Sequence, residues 1–262
     1  MYPKKMCSKK LIARVLNSTI PGLLLGSLFL VPNAFAGESV SYRIGGSAFE
    51  GYFAGADEAK GLVLIMHDWD GLTPYEEQRA DMLASLGYDA FAVDLFGAGV
   101  RPTTVTDKRQ HTGELYKDRE KMRQLMQGAL EKARSLSSSP GQAVAMGYCF
   151  GGAAVLEFAR SGETLEGFAS FHGGLSTPDG QNYANTKGKV LVYHGTADSA
   201  ITMQQFAELA VQLETEAVNH EMTTYSAAPH GFTVFGSSRY QKRADEQSWS
   251  SFTDFLADTF AP

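Results

Sequence analysis

The strongest chemical signal in the sequence is a cysteine set between two glycines. Cys149 is flanked at a distance of two residues by Gly147 and Gly151, and it lies between an apolar run and an apolar helical segment. Glycines at these positions permit the sharp turn between a strand and a helix that exposes a nucleophile above an α/β sheet. The helix N-terminus that follows favours the thiolate. The pattern predicts a nucleophile elbow, with a glycine-rich turn around a buried, inert cysteine as the alternative.

Two later residues complete a catalytic pattern. Asp198 follows an apolar run that ends at Tyr193, and His230 follows the last predicted strand. The order nucleophile, acid, histidine is that of α/β-hydrolases. The alternatives are a turn or helix cap at Asp198 and an ordinary loop histidine at His230. Residue types, order and context together predict a triad of Cys149, His230 and Asp198 for acyl transfer.

Apolar runs that alternate with helical segments predict the sheet that must position these residues. Strands are predicted at 61–67, 90–94, 143–146, 167–171, 190–193 and 222–225, and helices at 74–86, 114–136, 153–159, 203–213 and 244–260. Ahead of them, alternating segments at 40–44 and 49–53 flank a glycine pair and predict a β-hairpin. The expected fold is α/β, with a mostly parallel central sheet flanked by helices and an N-terminal β-hairpin, in one domain over residues 37–262.

Residues 1–36 have the pattern of a secretory signal peptide. Five basic residues and no acidic one precede an apolar run at 20–31, and Ala34-Phe35-Ala36 matches a cleavage site. The run is shorter than the ~20 residues that cross a bilayer, which makes a membrane anchor the weaker alternative. The pattern predicts cleavage before Gly37, export across the inner membrane to the periplasm, and no membrane anchor afterwards.

Cleavage would change both the charge and the cysteine content. Loss of the five basic residues would take the formal net charge from −6 to −11, and loss of Cys7 would leave Cys149 as the only cysteine. An acidic surface argues against nucleic acid or an anionic membrane as the partner. A lone cysteine cannot form an internal disulfide, so it is either buried or used.

Metal and nucleotide sites are not indicated. The histidines at 67, 172 and 194 stand at predicted strand ends, and the chain has neither an H-x-x-x-H nor a C-x-x-C spacing. The G-x-G-x-x-G fingerprint of dinucleotide binding is also missing. We therefore expect no metal and no cofactor.

Six stretches resemble the dienelactone hydrolase family, whose members have the α/β-hydrolase fold. The stretches are 67–72, 92–97, 146–152, 170–175, 194–198 and 230–232, in family order. The resemblance implies that Cys149 is the nucleophile, His230 the base and Asp198 the orienting acid. It also implies an oxyanion hole from the backbone N–H groups of Trp69 and Phe150.

Two positions depart from the family pattern. Asp68 stands where family members usually have a glutamate that holds the resting thiol, and it is therefore a possible thiol partner. Val234 stands where members that cleave dienelactone have an arginine that pairs with the substrate carboxylate. We expect a pocket without that clamp, in which a neutral ester reacts at least as well as an anionic lactone. Arg101 and Lys108, in a predicted loop, are the first candidates for a replacement cation.

The combined prediction is a hydrolase of a small carboxylic ester or lactone that works through a thioester, with a small molecule as its partner. One alternative is a thiol-redox protein using Cys149, weakened by the lack of a resolving cysteine after cleavage. A second alternative is a catalytically inactive binding protein that keeps the fold. The sequence indicates neither a monomer nor a homodimer.

Overall fold

An eight-stranded sheet organises the described part of the chain. The structure, a computed structural model, describes residues 37–261, so the predicted signal peptide at 1–36 lies outside the described residues. The strands are β1 (Glu38–Ile44), β2 (Ser47–Ala54), β3 (Leu62–Met66), β4 (Asp89–Val93), β5 (Ala143–Tyr148), β6 (Thr164–Phe171), β7 (Lys187–Gly195) and β8 (His220–Tyr225). Their spatial order is β1-β2-β4-β3-β5-β6-β7-β8.

The sheet combines the predicted hairpin with a parallel body. β1 and β2 are antiparallel and join the edge of β4, and all further strand pairs are parallel. Every residue of β3, β4 and β5 is buried, as expected for strands covered by helices on both faces. The chain goes from β3 outward to β4 and returns to β5 on the other side of β3. Such a reversal opens a crevice at the carboxyl ends of the strands, where α/β proteins bind ligands.

The predicted helix at 114–136 is wrong in its first part, because two helices occupy this region. They are α2 (Val105–Lys117) and α3 (Arg119–Leu136). Asp118 interrupts them with φ −114° and ψ 78°, and its side chain accepts the N–H of Lys121 as an N-cap. Thr104 caps α2 in the same way, accepting the N–H of Asp107. The polar sequence of α2 conceals its helical period, so only its capping residues indicate where it begins.

The other helices are α1 (Pro74–Ser85), α4 (Phe150–Arg160), α5 (Met203–Thr215) and α6 (Lys242–Thr259). Every residue of α4 is buried, which places the helix that follows Cys149 firmly against the sheet. Two apolar clusters lie on the two faces of the sheet and form the core. Among the described residues, no helix has the length and apolarity needed to cross a membrane.

Candidate active site

Cys149 occupies a strained turn between β5 and α4. Its φ of 51° and ψ of −111° are in a region that a side chain other than glycine rarely adopts. The two flanking positions require glycine because other backbone atoms lie too close to them for a side chain. A Cβ on Gly147 would lie 2.3 Å from the carbonyl oxygen of Gly151, and one on Gly151 would lie 2.1 Å from that of Met66. The structure therefore has the elbow geometry that the glycine spacing predicts.

The structure brings together the three residues that the sequence singles out. His230 Nε2 lies 3.1 Å from Cys149 Sγ, and His230 Nδ1 lies 2.8 Å from Asp198 Oδ2. His230 lies in the loop after β8 and Asp198 in the loop after β7, while Cys149 follows β5. Because these strands are parallel, the three loops meet at the same edge of the sheet. Thiol, imidazole and carboxylate thus form one continuous hydrogen-bonded line.

Asp198 is ionised despite complete burial of its side chain. Burial alone would raise its pKa, but the hydrogen bond with His230 and those from the backbone N–H groups of Ile201 and Ala200 lower it below the usual range. Both N–H groups donate to Oδ1 at 2.9 Å, which leaves Oδ2 for the imidazole. The carboxylate can therefore select the imidazole tautomer that has its proton on Nδ1.

The thiol of Cys149 is neutral in the resting site. Burial raises its pKa to about 12, and Asp68 adds to the increase once its own carboxyl has ionised, while the N–H of Phe150 lowers it only in part. The helix N-terminus therefore acts in the predicted direction, through the N–H of Phe150, but desolvation outweighs it. His230 Nε2, 3.1 Å from the sulfur, is placed to accept the proton of the thiol.

Two backbone N–H groups are available beside the thiol. Phe150 is the first residue of α4, so its N–H lacks an acceptor within the helix, and it faces the sulfur. The N–H of Trp69 has no protein acceptor within residues 37–261. Both residues line the same cavity as Cys149. Their role as oxyanion donors stays a prediction.

Asp68 also lines this cavity, but its carboxyl does not hydrogen-bond to the thiol. Its Oδ1 accepts the N–H of Asp70 at 3.0 Å. Burial raises the pKa of Asp68 to about 9, with further increases from the hydrogen bond with Asp70 and from the charge of Glu76. Asp68 is therefore a neutral carboxylic acid at neutral pH, and its predicted contact with the resting thiol stays a prediction.

The cavity above Cys149 has a volume of about 370 Å³. One of its walls, which consists of Arg109, Thr112 and Tyr116 from α2, was not predicted from the sequence. The spacing of three and four residues is that of one helix face. This signal could have been found only after the start of α2 had been recognised from its cap at Thr104.

The basic residues of the cavity differ from those predicted. Val234 lines the wall as expected, but Arg109 and Arg239 line it too, and neither forms an ion pair with a carboxylate among residues 37–261. Lys108 Nζ instead pairs with Asp70 at 3.1 Å. Arg101 Nη1 lies 3.8 Å from an oxygen of Asp94. The choice of Arg101 and Lys108 as replacement cations was therefore wrong.

His172 is a further cavity residue, and the sequence places it at a strand end. It is buried at φ 41°, and its Nε2 hydrogen-bonds with Thr233 Oγ1 at 2.8 Å. Burial and the neighbouring charge of His230 hold its pKa well below the usual range, so it stays neutral. Its ring packs edge-on against His230 with centroids 5.3 Å apart. Within residues 37–261, no group of three or more histidine, cysteine or acidic side chains could hold a metal ion.

Known proteins with similar sequences and structures share this architecture. The model of the dienelactone hydrolase family matches residues 49–260. A Synechocystis protein named as a candidate carboxymethylenebutenolidase is 23% identical over 207 residues, which cover 72% of this chain and 82% of that protein.

Two solved structures support the same relationship. The structure named m3DLH is 27% identical, with a TM-score of 0.81, covering 87% of this chain and all of that one. P91, described as a dienelactone hydrolase-like promiscuous phosphotriesterase from metagenomic libraries, is 26% identical, with a TM-score of 0.79, covering 85% of this chain and 98% of its own. The chain therefore belongs to the dienelactone hydrolase family and is a carboxylic ester hydrolase with an α/β-hydrolase fold.

Proposed function

We propose that the protein cleaves a small carboxylic ester or lactone through a thioester on Cys149. The observation that carries this proposal is the hydrogen-bonded line from Cys149 Sγ through His230 to Asp198, with distances of 3.1 and 2.8 Å. A cavity of about 370 Å³ above the sulfur has the size of a small-molecule site. The family relationship supports hydrolysis of this substrate class.

The first half of the reaction forms the thioester. Because the resting thiol is neutral, His230 takes its proton as sulfur attacks the substrate carbonyl carbon. The negative oxygen of the tetrahedral intermediate then accepts hydrogen bonds from the N–H groups of Phe150 and Trp69. Asp198 stabilises the imidazolium that forms. Collapse of the intermediate breaks the carbon–oxygen bond, and His230 returns the proton to the departing alkoxide.

The second half releases the acid. Water attacks the thioester carbonyl while His230 accepts a proton from it, and the same two N–H groups bind the oxyanion. Breakage of the carbon–sulfur bond regenerates the thiol with the proton from His230. In a lactone the alcohol and acid remain in one product, since the broken bond lies within a ring.

A double-mutant cycle tests this assignment. C149A, H230A and the double variant are compared with the wild type by kcat/KM on one activated ester, with folding checked by circular dichroism. Each single variant should lose most turnover, and the double variant should be little worse, because residues that act as one unit are strongly non-additive. Retention of more than about a tenth of wild-type activity by C149A would exclude Cys149 as the nucleophile.

Two alternatives are tested with the same protein. A thiol-redox function would require Cys149 to react with peroxide, and its raised pKa opposes this because the thiolate is the reactive form. Peroxide titration beside ester turnover separates the two. A binding protein without activity would bind some ligand tightly yet turn over no member of an ester panel.

We also propose that the protein is exported to the periplasm and begins at Gly37 after cleavage. The basic start, the apolar run at 20–31 and Ala34-Phe35-Ala36 support this proposal. N-terminal sequencing of protein from a periplasmic fraction tests it, and an intact Met1 in a membrane fraction would refute it.

A further inference from the structure

The loop that carries His230 is anchored three residues later, at the buried Thr233. The hydroxyl oxygen of Thr233 lies 2.7 Å from the hydroxyl of Tyr75 and 2.8 Å from Nε2 of His172. Its carbonyl oxygen accepts a hydrogen bond from Nη2 of Arg79 at 3.1 Å. This loop residue is therefore bound through its side chain and through its main chain at once.

The anchor for Thr233 is a buried arginine on α1. Arg79 is 1% exposed and forms an ion pair with Asp245 of α6. Its Nε donates to the hydroxyl of Tyr75 at 3.4 Å. Its guanidinium also lies against four aromatic rings, those of Tyr75, Tyr148, Phe235 and Trp249. A buried polar network in which each charge is paired is rigid, so it can hold the groups attached to it in one position.

The positions of the protons in this network follow from its donors. Arg79 can only donate, so the hydroxyl oxygen of Tyr75 accepts from its Nε. Burial raises the pKa of Tyr75, so its hydroxyl keeps its own proton and donates it to Thr233. The hydroxyl of Thr233 then donates to Nε2 of His172. Among the contacts within residues 37–261, only this arrangement gives both hydroxyl protons an acceptor.

Thr233 thereby selects the tautomer of His172. Burial holds the pKa of His172 well below the usual range, so the ring is neutral and has a single N–H. Because Nε2 accepts from Thr233, that N–H is on Nδ1. Nδ1 has no hydrogen-bond partner in the described part of the chain. The hydroxyl of Thr233 is therefore the contact that sets both the tautomer and the orientation of this ring.

The ring of His172 supports the imidazole of His230. The two rings meet edge-on, with centroids 5.3 Å apart and planes at 65°. The other polar support is Asp198, which lies 2.8 Å from His230 Nδ1. A neutral His172 adds no positive charge beside His230 when the latter takes up a proton. Displacement of a reacting group by about 1 Å can lower a rate by about 100-fold, so the orientation of this support affects turnover.

We propose that Thr233 is a positioning residue for His230 and acts through the ring of His172. Thr233 does not belong to the residues that line the cavity above Cys149, so it has no direct contact with a substrate there. This inference rests on the proposed function, because His230 needs a fixed position only if it moves the proton of the thiol. Loss of the Thr233 hydroxyl should therefore lower kcat far more than it changes KM.

Two substitutions at Thr233 separate the hydroxyl from the rest of the side chain. T233V replaces the hydroxyl by a methyl group, and T233S keeps the hydroxyl but removes the methyl group. With one activated ester as substrate, T233V should lower kcat by about tenfold or more and leave KM within about twofold of the wild type. T233S should recover kcat to within about threefold of the wild type.

Y75F is the matched control within the same network. The hydroxyls of Tyr75 and Thr233 each take part in two hydrogen bonds, so their removal should lower the melting temperature by similar amounts. In Y75F, however, the hydroxyl of Thr233 can still donate to His172. We therefore expect kcat within about twofold of the wild type in Y75F, although T233V loses both stability and kcat.

Nitrogen-15 NMR of histidine-labelled protein gives a readout that stability alone does not change. In the wild type and in Y75F, His172 should have its proton on Nδ1 and none on Nε2. T233V should lose this single tautomer, because no hydroxyl then donates to Nε2. A protonated Nε2 in the wild type would overturn the proposal, and this measurement remains decisive if T233V does not fold.

The kinetic outcomes distinguish this inference from the proposed function. Equal losses of kcat in T233V and Y75F, or no recovery in T233S, would overturn the inference, because folding or packing rather than the hydroxyl would be responsible. Wild-type kcat in T233V beside an inactive C149A would also overturn it and would leave the thioester mechanism intact. Activity retained by C149A would instead refute the proposed function itself.

Discussion

Two aspartates beside the elbow at Cys149 have opposite protonation states. Asp198 follows β7 and has a pKa below the usual range, whereas Asp68 follows β3 and has a pKa of about 9. Burial raises the pKa of both, so burial does not explain the difference. Asp198 accepts hydrogen bonds from His230 and from two backbone N–H groups. Asp68 accepts one N–H and is close to the carboxyls of Asp70 and Glu76. Donors and neighbouring charges determine which buried carboxyl is ionised.

This difference in protonation state affects the proposed chemistry directly. An ionised Asp198 stabilises the imidazolium that forms when His230 takes the proton of the thiol. A neutral Asp68 at the same cavity adds no negative charge near the carbonyl oxygen, which becomes negative in the intermediate. Groups of one type with pKa values pushed apart can serve different roles in one site. The two carboxyls can be altered one at a time.

Removal of the ionised carboxylate of Asp198 should have the largest effect on kcat/KM. We expect D198A to lower kcat/KM by about 100-fold or more, because His230 loses both its orientation and the charge that stabilises its protonated form. The loss should be smaller than in C149A or H230A, which remove the proposed nucleophile and the proposed base. The measurement is kcat/KM on an activated ester, with circular dichroism as the control. Activity in D198A within about threefold of the wild type would show that this carboxylate is not part of the catalytic unit.

Replacement of the neutral aspartate, Asp68, should affect mainly the alkaline side of the pH profile of kcat/KM. Asp68 is protonated below about pH 9 and becomes an anion above it. That anion would oppose the negative charge that develops on the sulfur and on the carbonyl oxygen during attack, so wild-type kcat/KM should fall as pH rises through about 9. D68N, in which the amide resembles the protonated carboxyl, should lose this decrease and exceed the wild type by about tenfold at high pH. The assay uses an alkyl ester that is stable in base, and identical alkaline limbs in the two proteins would contradict the assignment.

The local sequence was sufficient to predict the elbow and the proximity of Cys149, His230 and Asp198. The glycines on either side of Cys149 indicate positions where other backbone atoms leave no room for a side chain. Asp198 and His230 follow recognisable apolar strands, and because these strands are parallel their ends lie at the same edge of the sheet. The hairpin and the buried strands were predicted for similar reasons, since each depends on a short pattern of residues. These features are encoded over a few positions and need no knowledge of tertiary contacts.

The α2 wall and the protonation states could not be predicted in this way. Arg109 and Tyr116 line the cavity from a polar helix that lacks a clear apolar stripe and that Asp118 separates from α3. The neutral thiol and the neutral Asp68 depend on burial by residues distant in sequence. The basic residues of the cavity were therefore predicted wrongly from the sequence, while the three residues predicted to form a triad lie within hydrogen-bonding distance of one another.

The smallest expected effect is on the pH dependence of stability, which should have opposite signs for Asp68 and Asp198. An unfolded aspartate has a pKa of about 3.9, so folded Asp68 keeps a proton that the unfolded chain releases between that value and about 9. Its contribution to stability is fully present below about pH 4 and is lost as pH rises towards 9. The amide introduced by D68N does not titrate, so this variant should gain in melting temperature relative to the wild type as pH rises from about 5 to 8.

The matched change D198N should behave in the opposite way. Because the pKa of Asp198 is lowered on folding, its contribution is present above the unfolded pKa and is lost only as pH falls, so D198N should be less stable than the wild type at neutral pH. Melting temperatures of the three proteins over this pH range provide the test, with about 2–4 °C expected per kcal/mol for a domain of this size. A D68N–wild-type difference that stays constant with pH would show that Asp68 is ionised in the folded protein. The distinction between the two carboxyls would then be lost, and with it the expected alkaline limb in the pH profile.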